Sequence, residues 1–503
     1  MSEHVVKLYG PPGTGKTTRL TAQALRVVNE YGPDRLCAIT FTRTAADELK
    51  ERIATARGLK PPADGWARRK FFNNILPWVG TIHSLALKMT GGKVMDSDDL
   101  KAFVLSLGGT PTRHDMDELE GYTWAEPGRD EVEAALAVHS AARHRMIPIE
   151  QAYLVVPWDP RGPVVSVERC EHIAQAYTDF KVQIGRIDFE DMLEAGLFET
   201  PPVDVVLADE VQDNSPLLWR AVDAWSVGRL TALAGDPYQA IYLFSGAAPE
   251  LFINHPGVLR PLGDSRRLTA HAAERAQSIL YSAGYRDEEW LGTWTGTGSG
   301  EVTDGTEFWL ARTARLLRPV YEQLEEAGVP YGNVRGGGPL ERKAAHAFRA
   351  LVQLRQRGAI SALAMAGLID QLSGLPRGLK AESARLARQA PEHMVEAHIL
   401  GRDLRAEALG LPHGEYYERV LAQHGLQAFV QPPLVRVGTI HAAKGREADT
   451  VHLVDSWGTL PYRNLLTPEG ARAEACVAYV GTTRHRRLLE FVPGQEGTPY
   501  PGF

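Results

Sequence analysis

Cysteine is scarce: Cys37, Cys170 and Cys476 are the only three in 503 residues. They lie far apart and form no CxxC pair, so neither a disulfide framework nor a cysteine-based zinc site is expected. Three buried free thiols in a reducing compartment are what this usage implies. Long apolar runs are missing as well, since none approaches the roughly 18 residues a membrane span requires. Glu3 and Lys7 flank a short Val-Val pair that runs into a glycine loop, a pattern without a secretory leader. The expected location is therefore cytoplasmic, with no membrane contact. There is no excess of positive charge either. A formal net charge of −7 argues against non-specific coating of nucleic acid. It leaves open a narrow groove that binds by aromatic stacking and a few local cations.

What is present is ordinary globular material, 44% hydrophobic and 23% charged. At roughly 150 residues per domain, the length allows about three or four domains. No internal repeat stands out. Apolar strands at 4–9 and 36–41 alternate with helical patterns at 17–30 and 44–57, the grammar of a parallel sheet with helices on its faces. A helix-rich stretch, 85–189, carries breaks at Gly108-Gly109, Pro127-Gly128 and 157–163. Strands return at 203–208 and 230–234. Beyond a boundary near Pro261, a helix at 269–283 precedes a turn-rich segment at 292–305 and a strand at 307–311. A second helical stretch opens at the glycine cluster 336–338 and lasts to about 426, before strands at 435–439 and 450–454. The layout is two α/β halves, each with a helical insertion.

Three segments carry chemistry, each at the end of an apolar strand. The first, Gly10-Pro11-Pro12-Gly13-Thr14-Gly15-Lys16-Thr17, fits GxxxxGK[ST] between a strand and a helix. Glycines let backbone amides turn onto phosphates, and the helix N-terminus adds its positive end. Lys16 is placed to reach the β/γ-phosphates and Thr17 to hold Mg²⁺, so ATP and Mg²⁺ are the expected ligands. The second, Asp209-Glu210-Val211-Gln212-Asp213, offers one carboxylate for Mg²⁺ and one to activate water. An acidic strand end by itself is more often a solvated turn; beside a phosphate loop the balance reverses. The third, 234–242, brings Gln239 as a γ-phosphate sensor, with Tyr242 and Phe244 as stacking surfaces. Core packing is the plainer reading of those aromatics.

In order along the chain, these segments and others resemble the UvrD/Rep/PcrA-like helicases of superfamily 1. ITFTRTAADELKERI (39–53) is similar to motif Ia and GTIHSLA (80–86) to motif Ib. DFEDML (188–193) resembles the acidic segment before motif II, DEVQD resembles motif II itself, and GDPYQAIYLFSGA (235–247) motif III. DSRRL (264–268) looks like motif IV, VRGGGPLER (334–342) like IVa, VGTIHAAKGREAD (437–449) like V, and AYVGTTRHRR (478–487) like VI. Together they span almost the whole chain.

The resemblance implies an α/β fold of two tandem RecA-like parallel-sheet domains. The first would comprise 1–87 and 186–260 with a helical insertion at 88–185; the second, 261–339 and 434–503 with a short insertion at 340–433. It implies an ATP-dependent helicase that travels 3′ to 5′ on single-stranded DNA, in DNA repair or replication. Single-stranded DNA and its junctions with duplex would be its partners, and the chain would be a monomer or weakly self-associating. Lys16, Asp209, Glu210, Gln239, Arg267 and Arg484 would be catalytic. Gly10 to Thr17, Thr18 and Glu447 would hold the nucleotide, Glu447 through the ribose hydroxyls, and Thr17 and Asp209 the metal. Arg267 and Arg484 would bind the γ-phosphate bidentately from across an interdomain cleft. Phe41, Tyr242 and Phe244 would stack bases, while Thr42, Thr81, His83, Thr439 and His441 would contact the DNA or pack beside it. Neither histidine has the Cys/His company of a zinc ligand.

The chain departs from the family pattern at four places. No glutamine lies in the nine residues before Gly10, where the family has an adenine reader. Arg266 stands where a base-stacking tyrosine is usual, and Phe244-Ser245 where tryptophan and arginine are usual. The second insertion is short. Two other readings compete with a helicase. One is a translocase that displaces proteins with weak unwinding; the other, suggested by the spelling GPPGTGKT, is a hexameric AAA+ ATPase that remodels protein. A non-enzymatic DNA-binding module would leave the ATPase groups without a purpose.

Overall fold

The computed structural model describes residues 4–111, 130–156, 158, 162–285, 294–373, 375, 377–390, 392–400 and 403–503. The break expected at Pro127-Gly128 lies outside these residues, as do parts of those at 157–163 and 292–305. The chain divides into two compact units, Met1–Arg266 with Asp287–Thr295, and Arg267–Arg286 with Gly296–Phe503.

In the first unit β1 (Val5–Tyr9) feeds α1 (Lys16–Glu30), and β2 (Leu36–Thr40) feeds α2 (Arg43–Ala56) and α3 (Gly65–Ile75). β3 (Val79–Thr81) runs directly into α4 (Ile82–Thr90). Helices α5 (Ser97–Ser106), α6 (Glu131–Arg145), α7 (Ile149–Val155) and α8 (Val167–Ile184) follow. Then come α9 (Phe189–Gly196), β4 (Val205–Ala208), α10 (Pro216–Ser226), β5 (Leu230–Gly235), α11 (Pro249–Asn254) and β6 (Val258–Pro261). The sheet order is β3-β2-β4-β5-β1-β6, with every pair parallel. Central strands β2 and β4 are buried along their whole length, which is why LCAIT and VVLA read as unbroken apolar runs.

Two apolar clusters cover the faces of this sheet. One gathers Trp219, Trp225 and Phe252; the other joins Leu20, Val27 and Ile53 to the strands. Trp225 is fully buried and satisfies its indole by donating to the carbonyls of Gly196 and Glu199, both at 3.1 Å. Helices α5 to α8 enclose a core of their own around Phe103, Leu136 and Ile173.

Short strands β7 (Asp264–Ser265) and β8 (Thr295–Gly296) flank α12 (Ala270–Ser282) along the chain. The second unit continues with β9 (Glu307–Ala311), α13 (Arg318–Glu326), β10 (Tyr331–Asn333) and α14 (Lys343–Arg357). After these come β11 (Ala359–Ser361), α15 (Ala362–Gln371), α16 (Arg377–Leu386), β12 (Met394–Glu396) and α17 (Gly414–His424). β13 (Val435–Thr439), α18 (Ile440–Ala443), β14 (Ala448–Val454), β15 (Ser456–Trp457), α19 (Thr459–Asn464), α20 (Pro468–Thr482) and β16 (His485–Val492) complete it. Its parallel sheet has the order β10-β13-β9-β14-β16.

Two parallel sheets with helical segments between their strands is the fold class the resemblance implies. Strands β3, β6, β10 and β16 stand where the sequence marks none, and one longer stretch also differs from expectation. Residues 336–426, read as helical, also contain the antiparallel pair β11–β12, with Ile360 opposite Val395. Strands of three residues are too short to show alternation. The cysteines behave as anticipated: Cys37, Cys170 and Cys476 are free and buried.

A charged network fastens α6 and α8 to α9. Arg143 on α6 pairs with Asp188 at 3.0 Å, Asp191 at 2.7 Å and Glu194 at 2.9 Å. Lys181 on α8, 4% exposed, reaches the same Asp188 and Asp191 at 2.5 and 2.6 Å. Asp188 and Asp191 also form the capping box that starts α9. Truncating one partner strands buried charge, which costs far more than the intact pair contributes. Lys181→Met is therefore expected to lower unfolding stability by about 3–5 kcal/mol in a urea titration.

His139 on α6 packs edge-on against Tyr177, and its Nε2 has no hydrogen-bond partner among the described residues. Burial, assisted by the charge of Arg143, pulls its pKa down to about 4. An unfolded chain protonates this ring first, so stability should fall as pH drops from about 6.5 towards 4 and be flat above that window. Melting curves across pH 4–8 should show a smaller acid-side decline in His139→Leu than in the wild type.

Candidate active site

Parallel strands present their carboxyl ends along one edge, and in the first unit the chemistry-bearing segments follow those ends. The phosphate loop follows β1, Phe41 and Thr42 follow β2, and the paired carboxylates follow β4. Asp236 to Gln239 follow β5, while Thr81 is the last residue of β3.

The loop is shaped by backbone as much as by side chain. Gly13 and Gly15 both adopt left-handed conformations, with φ of 77° and 83°. Gly10 faces a different constraint, because a Cβ there would stand 2.4 Å from Thr14 Oγ1 and 2.8 Å from Lys16 Cγ. Thr14 Oγ1 donates to the Pro11 carbonyl at 2.8 Å, and the Lys16 ammonium donates to the Gly10 carbonyl. Lys16 is thus held, buried, across the mouth of its own loop. Two contacts from further along the chain brace the other rim. The Ser265 hydroxyl donates to the Pro12 carbonyl at 2.6 Å, and the Arg266 amide to the Gly13 carbonyl at 3.0 Å. Thr18 is exposed at the start of α1.

Thr17 Oγ1 donates to Asp209 Oδ2 at 2.6 Å, across a separation of 192 residues. Two hard oxygen donors so placed suit Mg²⁺. Burial and the neighbouring charge of Glu210 push the Asp209 carboxyl up to about 6, a tension that a bound cation relieves. The fit is good on chemistry and on charge. Glu210 itself sits at φ 54°, a left-handed position rare for residues other than glycine. Gln212 holds it there, donating to Glu210 at 2.5 Å and to Asp213 at 3.1 Å. The other end of the Gln212 amide accepts from the Asp236 backbone N–H at 3.1 Å. Asp236 in turn accepts from the Gln239 side chain at 2.8 Å. Gln212 and Asp236 were not singled out from sequence, although Gln212 lies inside the DEVQD segment.

The aromatic residues form a row in the same unit. Phe41 and Tyr242 stack with centroids 5.9 Å apart and 18° between planes, and Phe244 meets Tyr242 edge-on at 6.2 Å. Phe244 is 37% exposed. Thr42 and Thr81 cap helices, accepting from Ala45 N–H at 3.1 Å and Ser84 N–H at 3.3 Å. His83 packs edge-on against Phe189, and burial with the nearby His144 lowers its pKa to about 4. It is a neutral, packed ring.

In the second unit Arg267 forms an ion pair with Glu447, which also lies 3.7 Å from Arg486. The Arg484 guanidinium is buried and donates to the Val480 carbonyl at 2.9 Å and to Thr483 Oγ1 at 3.1 Å. Thr439 caps α18 by accepting from Ala442 N–H at 3.2 Å, and His441 lies in that short helix.

The UvrD/REP helicase N-terminal domain model matches residues 2–256, half of the chain. The chain is 24% identical over 387 residues to the ATP-dependent DNA helicase PcrA of Leuconostoc citreum, covering 66% of this chain and 48% of that protein. It is 27% identical over 263 residues to the putative ATP-dependent DNA helicase YjcD of Bacillus subtilis, covering 48% and 31%. Its identity to the RecBCD enzyme subunit RecB of Mycolicibacterium smegmatis is 26% over 323 residues, covering 55% and 30%. The chain thus spans about half or less of the length of these relatives.

Gly10→Ala tests the loop without removing a functional side chain. The added methyl must displace Thr14 or Lys16, so nucleoside triphosphate affinity measured by calorimetry should weaken about tenfold or more, with the melting temperature nearly unchanged. Wild-type affinity would show that the loop is not where the nucleotide binds.

Proposed function

Because the chain belongs to the UvrD/REP helicase family, we propose that it is an ATP-dependent DNA helicase that moves 3′ to 5′ along single-stranded DNA. One observation carries this reading: within the first unit a path of hydrogen bonds runs from the paired carboxylates to Gln239, three residues before the aromatic row. Glu210 is held by Gln212, Gln212 by the Asp236 amide, and Asp236 by Gln239. Three residues further on, Tyr242 stacks on Phe41. A change at the γ-phosphate is thereby connected to the surface that holds a base.

Each residue has a proposed role. Lys16 and the loop amides bind the β/γ-phosphates of ATP. When bound between Thr17 and Asp209, Mg²⁺ would neutralise charge on the phosphates. Glu210 orients and deprotonates the attacking water, and Gln239 senses the γ-phosphate. Arg267 and Arg484 of the second unit are assigned to the γ-phosphate and Glu447 to the ribose. The Arg267–Glu447 ion pair supports that assignment by holding the two side chains next to each other. Phe41, Tyr242 and Phe244 stack bases, a contact worth roughly 1–3 kcal/mol per base that tolerates any sequence. Thr42, Thr81, His83, Thr439 and His441 line or support the DNA path. The four-part division into two sheet domains and two helical insertions is retained as the domain proposal. A monomer or weak self-associate in the cytoplasm is the assigned state, supported by the buried free thiols.

A protein-displacing translocase with weak strand separation is the second reading, favoured by Phe244-Ser245 at the stacking turn. Strand displacement on 3′-tailed and 5′-tailed duplexes, run beside ATP turnover, separates the two. Unwinding of the 3′-tailed substrate alone is the expected result. Turnover without displacement of either would select the translocase, and preference for the 5′ tail would contradict the polarity. Lys16→Ala should reduce ATP turnover by about a hundredfold or more while leaving DNA binding measurable. Wild-type hydrolysis in that variant would overturn the assignment of the loop.

A further inference from the structure

Helix α6 ends on three consecutive side chains that reach three different parts of the first unit. Arg143 pairs with the carboxylates of α9. His144 Nδ1 lies 3.0 Å from the hydroxyl of Ser215, the residue that caps α10 shortly after the paired carboxylates. Its Nε2 lies 3.5 Å from the buried Glu190 carboxylate. Arg145 reaches furthest, donating through Nη2 to the carbonyls of Leu243 at 2.9 Å and Phe244 at 3.3 Å.

The turn that Arg145 grips is the one carrying Phe244. Leu243–Ser245 is a single short helical turn, and no residue between Asp236 and Glu250 is charged. The charge laid against the turn comes from α6 instead. The close fit is visible at Gly246, where φ is 96° and a Cβ would meet Arg145 Cγ at 3.5 Å and His144 Cβ at 3.7 Å. One guanidinium shared by two adjacent carbonyls restricts the peptide planes on both sides of Phe244. Phe244 is 37% exposed and meets Tyr242 edge-on, so the backbone of its turn helps to set the angle of its ring.

We propose that Arg145 is a positioning residue for DNA: from the helical insertion it fixes the backbone of the turn so that Phe244 presents its ring to a base. The proposal rests on the reading of Phe244 as a base-stacking residue. Arg145 acts through Phe244 and makes no phosphate contact. A role of that kind has a signature that a direct contact or a general loss of fold does not share.

The experiment is a double-mutant cycle on the full chain, with Arg145→Ala, Phe244→Ala and the double variant. The readout is the oligothymidylate concentration giving half-maximal stimulation of ATP turnover, repeated over a range of salt. Each single change should raise that concentration on the order of tenfold, the scale of one lost stacking contact. The double variant should be no worse than the more affected single one. The salt dependence of Arg145→Ala should match the wild type, because no phosphate contact is lost. Arg145→Lys, which keeps the charge but not the planar fork, should fall between wild type and alanine. If Arg145→Ala melts well below the wild type, Arg145→Lys carries the same cycle. Multiplying effects in the double variant, a salt slope reduced by about one, or an unaffected Arg145→Ala would each overturn the proposal. A wild-type chain that oligothymidylate fails to stimulate would remove the DNA reading itself, and this proposal with it.

Discussion

Two carboxylates, Asp209 and Glu210, are adjacent at the end of one buried strand, and the rest of the site answers to their repulsion. Burial first, and then the charge of Glu210 beside it, raise the Asp209 pKa to about 6. Each is then given its own partner. Thr17 reaches Asp209 from the phosphate loop, and Gln212 turns back to Glu210, whose backbone is left-handed. The same pair explains why the loop and the acidic strand end must be positioned by one rigid sheet, since a slip of an ångström would separate Thr17 from Asp209.

The consequences spread along the carboxyl edge of the sheet. Gln212 is engaged at both ends of its amide, so it ties Glu210 to Asp236, which begins the segment leading to Tyr242 and Phe244. The helical insertion joins the same circuit through α6, whose last residues touch the α10 cap and the aromatic turn. The charged network of Arg143 and Lys181 against α9 keeps α6 in register with the sheet. Stability and function therefore meet on one helix.

Much of this was legible in the chain because a parallel sheet places its chemistry at strand ends. GPPGTGKT, DEVQD and GDPYQAIY each follow an apolar run, so their convergence on one edge could be inferred before any coordinates. The structure places the phosphate loop, Asp209, Glu210 and Gln239 along that edge. What escaped was of two kinds. Strands of three or four residues, such as β3, β6, β10 and the β11–β12 pair, are too short for periodicity to register, and β16, mostly half-buried with Arg486, Arg487 and Glu490 along it, does not read as an apolar run. Side-chain partnerships between distant segments also leave no local trace. Arg145 and Leu243 are 98 residues apart, and Ser265 finds the Pro12 carbonyl across 253. Gln212 was in view within its motif, but its role depends on Asp236, which only folding brings near. The contact of His83 with Phe189 is another such partnership, across 106 residues.

The most direct test of the central claim, that nucleotide chemistry and a single-strand-binding surface are coupled within this chain, is ATP turnover measured as single-stranded DNA is titrated in. Turnover that is low alone and rises at least tenfold to a saturating plateau is the expected result. Turnover indifferent to DNA at every concentration would contradict the coupling and leave only a nucleotide site.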